Sequence, residues 1–285
     1  MINGMDISDK SAQVSDLVRT FDRDRYLAGL FAPQHARDAL MALFAFNCEL
    51  DRIPALVSEP ALGEIRLQWW RDVIDNAEAQ QVTGNPVADT LIKVISAYAL
   101  PKALLLGMID ARSADLDGGG FADLTALKAY LYKTHGAVFS LATVILSKND
   151  KSTVRIINPA AEAYGMMRVL RRLPYDAAAG RVMLPLSLLG ENGSSPEDVL
   201  SGEDNGIRNI ILEMSLGIRE VLAKCRQGLV TVPRNVRPAF TPLAVVEPNL
   251  RALEKTGVRP LQEVTEINPL LQFFRIWRCS RTGCI

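Results

Sequence analysis

Apolar side chains recur along this chain at intervals of three and four residues rather than in alternation. Examples are Leu40, Leu43, Phe46 and Leu50, then Leu67, Trp70 and Ile74, then Leu127, Tyr130 and Leu131. Such spacing gathers the apolar residues on one face of a 3.6-residue period, so the pattern predicts an all-α protein. Helix punctuation agrees. Asn158-Pro159, Ser195-Pro196 and Asn268-Pro269 each set a capping side chain before a proline at the first helical position, where its missing N–H is not needed. Stops or breaks are expected at Pro54, Pro101, Gly118-Gly119-Gly120, Pro174, Gly190 to Gly193 and the stretch from Pro233 to Pro248, which gives about nine or ten helices. No shift in composition or charge divides the chain, and no internal repeat or low-complexity tract is visible, so a single domain is expected.

Composition narrows the class. With 48% hydrophobic and 22% charged residues in 285, the chain is an ordinary globular one and not disordered, collagenous or disulfide-rich. Its 32 basic residues balance 32 acidic ones. Nucleic-acid binding is therefore not expected, because that requires a basic stripe to displace counterions from phosphates. The longest apolar stretch, residues 136–146, falls well short of the ~20 needed to span a bilayer, which leaves only a peripheral membrane role. The opening segment MINGMDISDKSAQVSDL has neither an apolar run nor an Arg-rich amphipathic pattern, so no leader is expected. Cys48, Cys225, Cys279 and Cys284 fit no metal knuckle or redox pair. They point to a reducing compartment and a cytoplasmic location.

Common chemistries find no support. With His35 and His135 as its two histidines, the chain has no His-rich zinc site, and no Gly-rich phosphate loop or GxSxG elbow occurs. His35, in the segment APQHAR, reads as a solvated or capping residue, and His135, on an apolar helix, as a satisfied core histidine.

Two segments share an arrangement, LFAFNCELDRIPA at 43–55 and RVLRRLPYDAAAGRVMLP at 168–185. Each ends a helix with Arg, Pro and a lone Asp. Here the chain resembles the squalene/phytoene synthase family, whose members carry YAF…DDxxD on one helix and LRDxxED…GRxYLP on another. Phe44-Ala45-Phe46 fits YAF, Leu170-Arg171 fits LR, and Gly180 to Pro185 fits GRxYLP. Trp70-Arg71, Asn85 to Ala88 and Tyr130-Leu131-Tyr132 fall between them in the family's order. The resemblance covers residues 20–280, leaving 1–19 as an N-terminal extension, and implies a single-domain isoprenoid-synthase-like helical bundle. In that family the acidic residues face each other across a helical pocket and hold Mg²⁺ on prenyl diphosphates, since hard cations prefer carboxylate oxygens.

The acids are depleted here. The first motif keeps Asp51 but has Arg52 and Ala55 at its other acidic positions. The second has Arg172 and Tyr175 and keeps only Asp176. Gly165 and Arg168 replace a polar pair just upstream. Such a site should not hold a cluster of divalent cations, so no catalytic residue, metal or other cofactor is expected. Mg²⁺ belongs to the alternative of an active prenyltransferase that uses Asp51, Asp176 and Glu49. A remnant pocket would consist of Asp51, Arg52, Arg168, Arg171, Arg172, Asp176 and Arg181. Arginines there either bind an anionic lipid or isoprenoid headgroup without metal or, the preferred reading, pair with Asp51, Glu49 and Asp176.

The stretches AFNCEL, SEPALGEIRLQWWRDVID, LRRLPYDAAAGRVMLP and PLLQFFRIWR resemble one branch of the family most, that of the NADH dehydrogenase (complex I) assembly factors. This resemblance implies a pseudoenzyme that partners respiratory complex I subunits or assembly intermediates near the inner membrane. Leu43, Phe46, Phe139, Leu141 and Met167 read as core rather than as a prenyl tunnel, and of Trp69 and Trp70 one should point inward. The last helix, with Arg275, Arg278 and Arg281 beside Leu271, Phe274 and Trp277, reads first as a docked helix with a solvated basic face, and second as a contact for an anionic membrane.

Overall fold

The computed structural model describes residues 7–79, 82–118, 120–148, 152–255 and 257–285, with side chains from residue 10 onward. Helices α1 (Ile7–Phe21), α2 (Arg23–Leu30) and α3 (Gln34–Arg52) open the chain. From Ala39 to Leu50 every residue of α3 except Glu49 is buried, so this helix forms the centre against which α1, α5 (Pro86–Tyr98) and α8 (Ala137–Leu146) pack. Between α3 and α5 lies α4 (Pro60–Asp75), which buries Trp70 and leaves Trp69 39% exposed while packing on α6 (Lys102–Arg112). Helix α7 (Leu124–Leu131) runs into α8 through a π-helical turn at Tyr132–Gly136. Such wide turns re-aim side chains, and this one turns His135 inward.

The second half is organised by α9 (Val154–Ala178), which runs alongside α12 (Ile207–Leu229), with the short α10 (Leu186–Glu191) and α11 (Pro196–Ser201) between them. A 3₁₀ run, Arg237–Val245, leads into α13 (Val246–Leu253), and α14 (Pro269–Thr282) closes the chain against that run and α2. One contiguous apolar core includes Leu43, Phe46, Phe139, Leu141 and Met167, each no more than 1% exposed. Among the described residues there is no strand, and no helix is long and apolar enough to cross a membrane.

The all-α fold class is as expected, but the punctuation misleads in places. Fourteen α-helices occur among the described residues, because several weakly patterned segments, such as α10 and α11, form only six-residue helices. Ser195 and Asn268 do cap helices, the former in a reciprocal capping box with Asp198. Asn158 does not. Helix α9 begins at Val154 and runs through Pro159, its first turn held by Ile156, which is buried and lies against Gly228.

Pro174 does not stop α9 either. An interior proline removes one helical hydrogen bond and costs about 3 kcal/mol. Here the turn beyond it is fastened by Arg172 and Arg181, both paired with Asp176. The proline-rich stretch is likewise helical: Pro238 opens the 3₁₀ run, and Pro248 is the third residue of α13, where an N–H has no intrahelical acceptor. The boundary expected at residues 19 and 20 falls inside α1, whose Val14 and Val18 belong to the core.

Gly165 on α9 makes a close approach possible. A Cβ there would lie 2.6 Å from a Leu131 methyl and 2.8 Å from the His135 ring. Gly165→Ala should therefore destabilise the protein, since overpacking costs about 1–3 kcal/mol against a helix-propensity gain of roughly 1. Gly29→Ala should be tolerated, because its new Cβ meets the flexible end of Met41. Urea-unfolding midpoints of the two variants check this, and equal midpoints would contradict it.

Candidate functional site

A polar residue in an otherwise apolar stripe is the local signal that builds this site. On α3 the buried stripe of Leu40, Leu43 and Phe44 continues into Asn47 and Asp51, four residues apart and on one face. On α6, Leu105, Met108 and Ile109 continue into Arg112, and on α9, Ala161, Tyr164 and Gly165 continue into Arg168 and Arg172. These faces converge. Asp51 Oδ1 accepts from Arg112 Nη1 at 2.9 Å, while Oδ2 accepts from Arg172 Nη1 at 2.9 Å and Arg168 Nη2 at 3.3 Å. Glu49, two residues away, faces elsewhere and pairs with Arg52 at 3.2 Å.

Each arginine of the clamp reaches a second carboxylate. Arg112 also donates to Asp115 at 3.0 Å and to the Tyr130 hydroxyl at 2.8 Å, and Tyr130 donates to Asp115 at 2.9 Å. Arg168 approaches Asp22 at 3.3 Å, and Arg172 lies 3.9 Å from Asp176. Asp176 also accepts from Arg181 at 2.7 Å. Gly180, at φ +71°, supplies the left-handed turn that folds Arg181 back onto the helix end.

A further layer lies behind Arg168. Asp22 caps α2 and pairs with Arg25 at 2.8 Å, and Arg25 donates to His135 Nδ1 at 3.1 Å. Tyr164 donates to Asp24 at 3.0 Å, and Gln272 of α14 donates to the same carboxylate. Arg171, one step round α9 from the clamp, reaches Asp24 at 3.7 Å.

Burial and charge set the protonation states. Burial alone would raise the Asp51 carboxyl, but Arg172, Arg112 and Arg168 outweigh it and hold Asp51 far below the usual carboxylate range. Asp22 is likewise lowered: Arg25 and Arg168 overcome its burial. Burial pushes Asp115 up despite Arg112. His135 is held well below its ordinary value by burial and by the charges of Arg25, Arg168 and Arg112, so it is neutral at pH 7. The thiols of Cys225 and Cys279 are pushed up to about 12 by burial, which keeps them protonated and inert.

The clamp divides two spaces. Inside it, a cavity of about 40 Å³ lies among Arg112, Asp115, Tyr130, His135, Gly165 and Met183, with room for about three water molecules. Outside it opens a cleft of about 790 Å³, walled by the end of α1, by α9 and by the segment leading into α14. Seven arginines (Arg19, Arg23, Arg52, Arg168, Arg171, Arg172, Arg181) line the cleft against three carboxylates (Asp24, Asp51, Glu266).

The structure thus brings Asp51, Arg168, Arg172, Asp176 and Arg181 together. It sets Arg171 and Arg52 on the cleft, the latter with its guanidinium 4.0 Å from the centre of the Phe21 ring. Sequence reasoning missed Asp22, Asp24, Arg25, Asn47, Arg112, Asp115, Tyr130, Tyr164 and Gln272. The interrupted apolar stripe would have found Arg112, whereas nothing local marks Asp22 or Gln272 as partners of α9.

The squalene/phytoene synthase family profile matches residues 18–270, most of the chain. The chain belongs to this family. Within the squalene/phytoene synthase family it is similar to the NADH dehydrogenase (ubiquinone) complex I, assembly factor 6 of Homo sapiens, 28% identical over 92% of this chain and 80% of that one. The Bos taurus assembly factor 6 is 27% identical over 97% and 84%. A solved dehydrosqualene synthase shares the fold at a TM-score of 0.81, with 14% identity and 97% of both chains covered.

The donor set does not fit the family's Mg²⁺ ions. Both oxygens of Asp51 are taken by guanidiniums, Asp176 is held by Arg172 and by Arg181, and among the described residues no three His, Cys, Asp or Glu side chains converge as metal donors. Hard cations need several free oxygens.

Asp51→Ala would leave Arg112, Arg168 and Arg172 facing one another, so it should cost about 3–5 kcal/mol, read as a lowered urea midpoint; an unchanged midpoint would refute the clamp.

His135 gives a pH signature. Below about pH 6.5 the unfolded chain binds a proton at this residue that the folded chain does not, so stability is full above that pH and falls as pH drops, by up to about 1.4 kcal/mol per unit. His135→Asn keeps an acceptor for Arg25 and should flatten the slope between about pH 6.5 and 5.5, as unfolding midpoints across that range would report. A slope identical to that of the parent would assign it to another group.

Proposed function

We propose that this protein serves the assembly of respiratory complex I, the NADH:quinone oxidoreductase, as a squalene/phytoene synthase fold that works without divalent metal. The observation that carries the reading is the arginine clamp on Asp51, one of the two carboxylates left in the metal motifs. Departure of a diphosphate from a prenyl chain requires its charge to be neutralised as it forms, which bound metal ions ordinarily supply. Carboxylates already committed to guanidiniums are poor recruits for that task. The names of the human and bovine relatives support the assembly role, and with it complex I subunits or assembly intermediates as partners and a peripheral place at the membrane that houses them.

The excess of arginine in the outer cleft favours a second reading, in which that cleft holds an anionic lipid or isoprenoid headgroup without turnover. Guanidinium forks bind phosphate oxygens directly, so no metal is needed for such a complex.

Purified protein incubated with farnesyl or geranylgeranyl diphosphate, with Mg²⁺ or Mn²⁺, should release no diphosphate while a working synthase does so alongside. Deletion of the gene should lower assembled NADH:quinone oxidoreductase, and the intact chain should restore it. Metal-dependent turnover would make the protein an active prenyltransferase, and undiminished complex I in the deletion strain would remove the assembly role.

A further inference from the structure

The closing helix presents a surface that neither the clamp nor the cleft uses. On α14 the buried residues Gln272, Ile276 and Cys279 form one face. Opposite them, at helical spacings of four, three and four, stand Leu270, Phe274, Trp277 and Arg281. Leu270 is 78% exposed, Phe274 51% and Trp277 38%, with Phe273 beside them at 45%. The rings of Phe274 and Trp277 lie 5.7 Å apart and continue the apolar ridge that Leu270 begins, about 10 Å long at 1.5 Å per residue. Arg278 and Arg281 flank and extend it, and neither forms an ion pair among the described residues, whereas Arg275 lies on the other flank, in a groove that Glu247 and Glu266 also line. No acidic residue follows Glu266.

This ridge is held rigidly. Asn268 caps the first turn, Gln272 is tied to the buried Asp24, Phe273 packs on Phe31 at 5.6 Å, and Gly283 ends the helix in a left-handed turn. Binding therefore needs no folding of the segment, which lowers its entropic cost.

We propose that this outer face of α14 docks the protein on an anionic phospholipid bilayer, with Leu270, Phe274 and Trp277 at the acyl boundary and with Arg278 and Arg281 among the headgroup phosphates. Charge complementarity selects this occupant: two unpaired cations beside the ridge, on a helix without an acid, match a negative lipid surface. The first turn of the same helix, through Pro269 and Gln272, walls the arginine-lined cleft. The cleft therefore lies across the helix from the docking face. The inference does not depend on the assembly role.

Co-sedimentation of the full chain with phosphatidylcholine vesicles containing phosphatidylglycerol, against pure phosphatidylcholine, tests it. Two arginines at about fivefold each predict roughly twenty-five-fold tighter binding to the anionic vesicles, weakened by salt. Phe274→Glu/Trp277→Glu, at exposed positions, should abolish binding with an unchanged circular dichroism spectrum, and R278Q/R281Q should reduce it to the phosphatidylcholine level. Equal binding by the Phe274→Glu/Trp277→Glu variant, or no preference for anionic vesicles, would overturn the proposal. So would a concentration-dependent dimer that this variant dissolves, because the face would then belong to a second copy.

Discussion

A carboxylate placed among helices cannot stay charged there without compensation, and Asp51 receives it from guanidiniums on two other helices. Three cations around one anion would in turn be unstable, so each arginine reaches a second acid: Arg112 meets Asp115, Arg168 meets Asp22, and Arg172 meets Asp176. Alternating charge therefore spreads outward from Asp51 through α2, α3, α6 and α9. The spacing of these helices is set by pairs close to 3 Å as much as by apolar packing. Removing one member leaves its neighbours unbalanced, so the network is expected to respond as a unit.

This constraint also shapes what the site can do. Two helices that present carboxylates to one another need cations between them, and here the cations are side chains of the protein itself. Charge is balanced within the chain, and the space left inside the clamp is small and polar, whereas the larger cleft outside it carries the surplus of arginine. The arginine-lined cleft and the charge-balanced clamp thus meet along one row of α9. Arg171 faces the cleft, and Arg168 and Arg172 touch both spaces.

The network reaches the surface through Gln272. Its amide joins α14 to Asp24, which also takes hydrogen bonds from Tyr164, while Arg171 approaches the same carboxylate. The helix that bears the exposed aromatic ridge is consequently anchored to the polar interior rather than hung on the outside. Its orientation is fixed by the same electrostatics that fix the clamp, which makes one face of α14 a cleft wall and the opposite face an outward surface.

By itself the sequence determined the helical class, the family and the depletion of the acidic motifs, because periodicity and short motifs are local properties of the chain. It also determined that Glu49 and Asp51 diverge, since that follows from their spacing on a helix. Only the tertiary structure decided that α9 runs through Pro159 and Pro174, because ion pairs across Asp176 and packing of Ile156 offset what a proline costs locally. Only it decided the partners of Asp51, for Arg112 lies 61 residues away and Arg172 lies 121 away, and no local pattern encodes which distant cation fills a given position. The amphipathic character of the last helix was legible in its spacing. Which side of it would be left uncovered was decided by the competition for Asp24 and Phe31, a matter of packing between segments far apart in the chain.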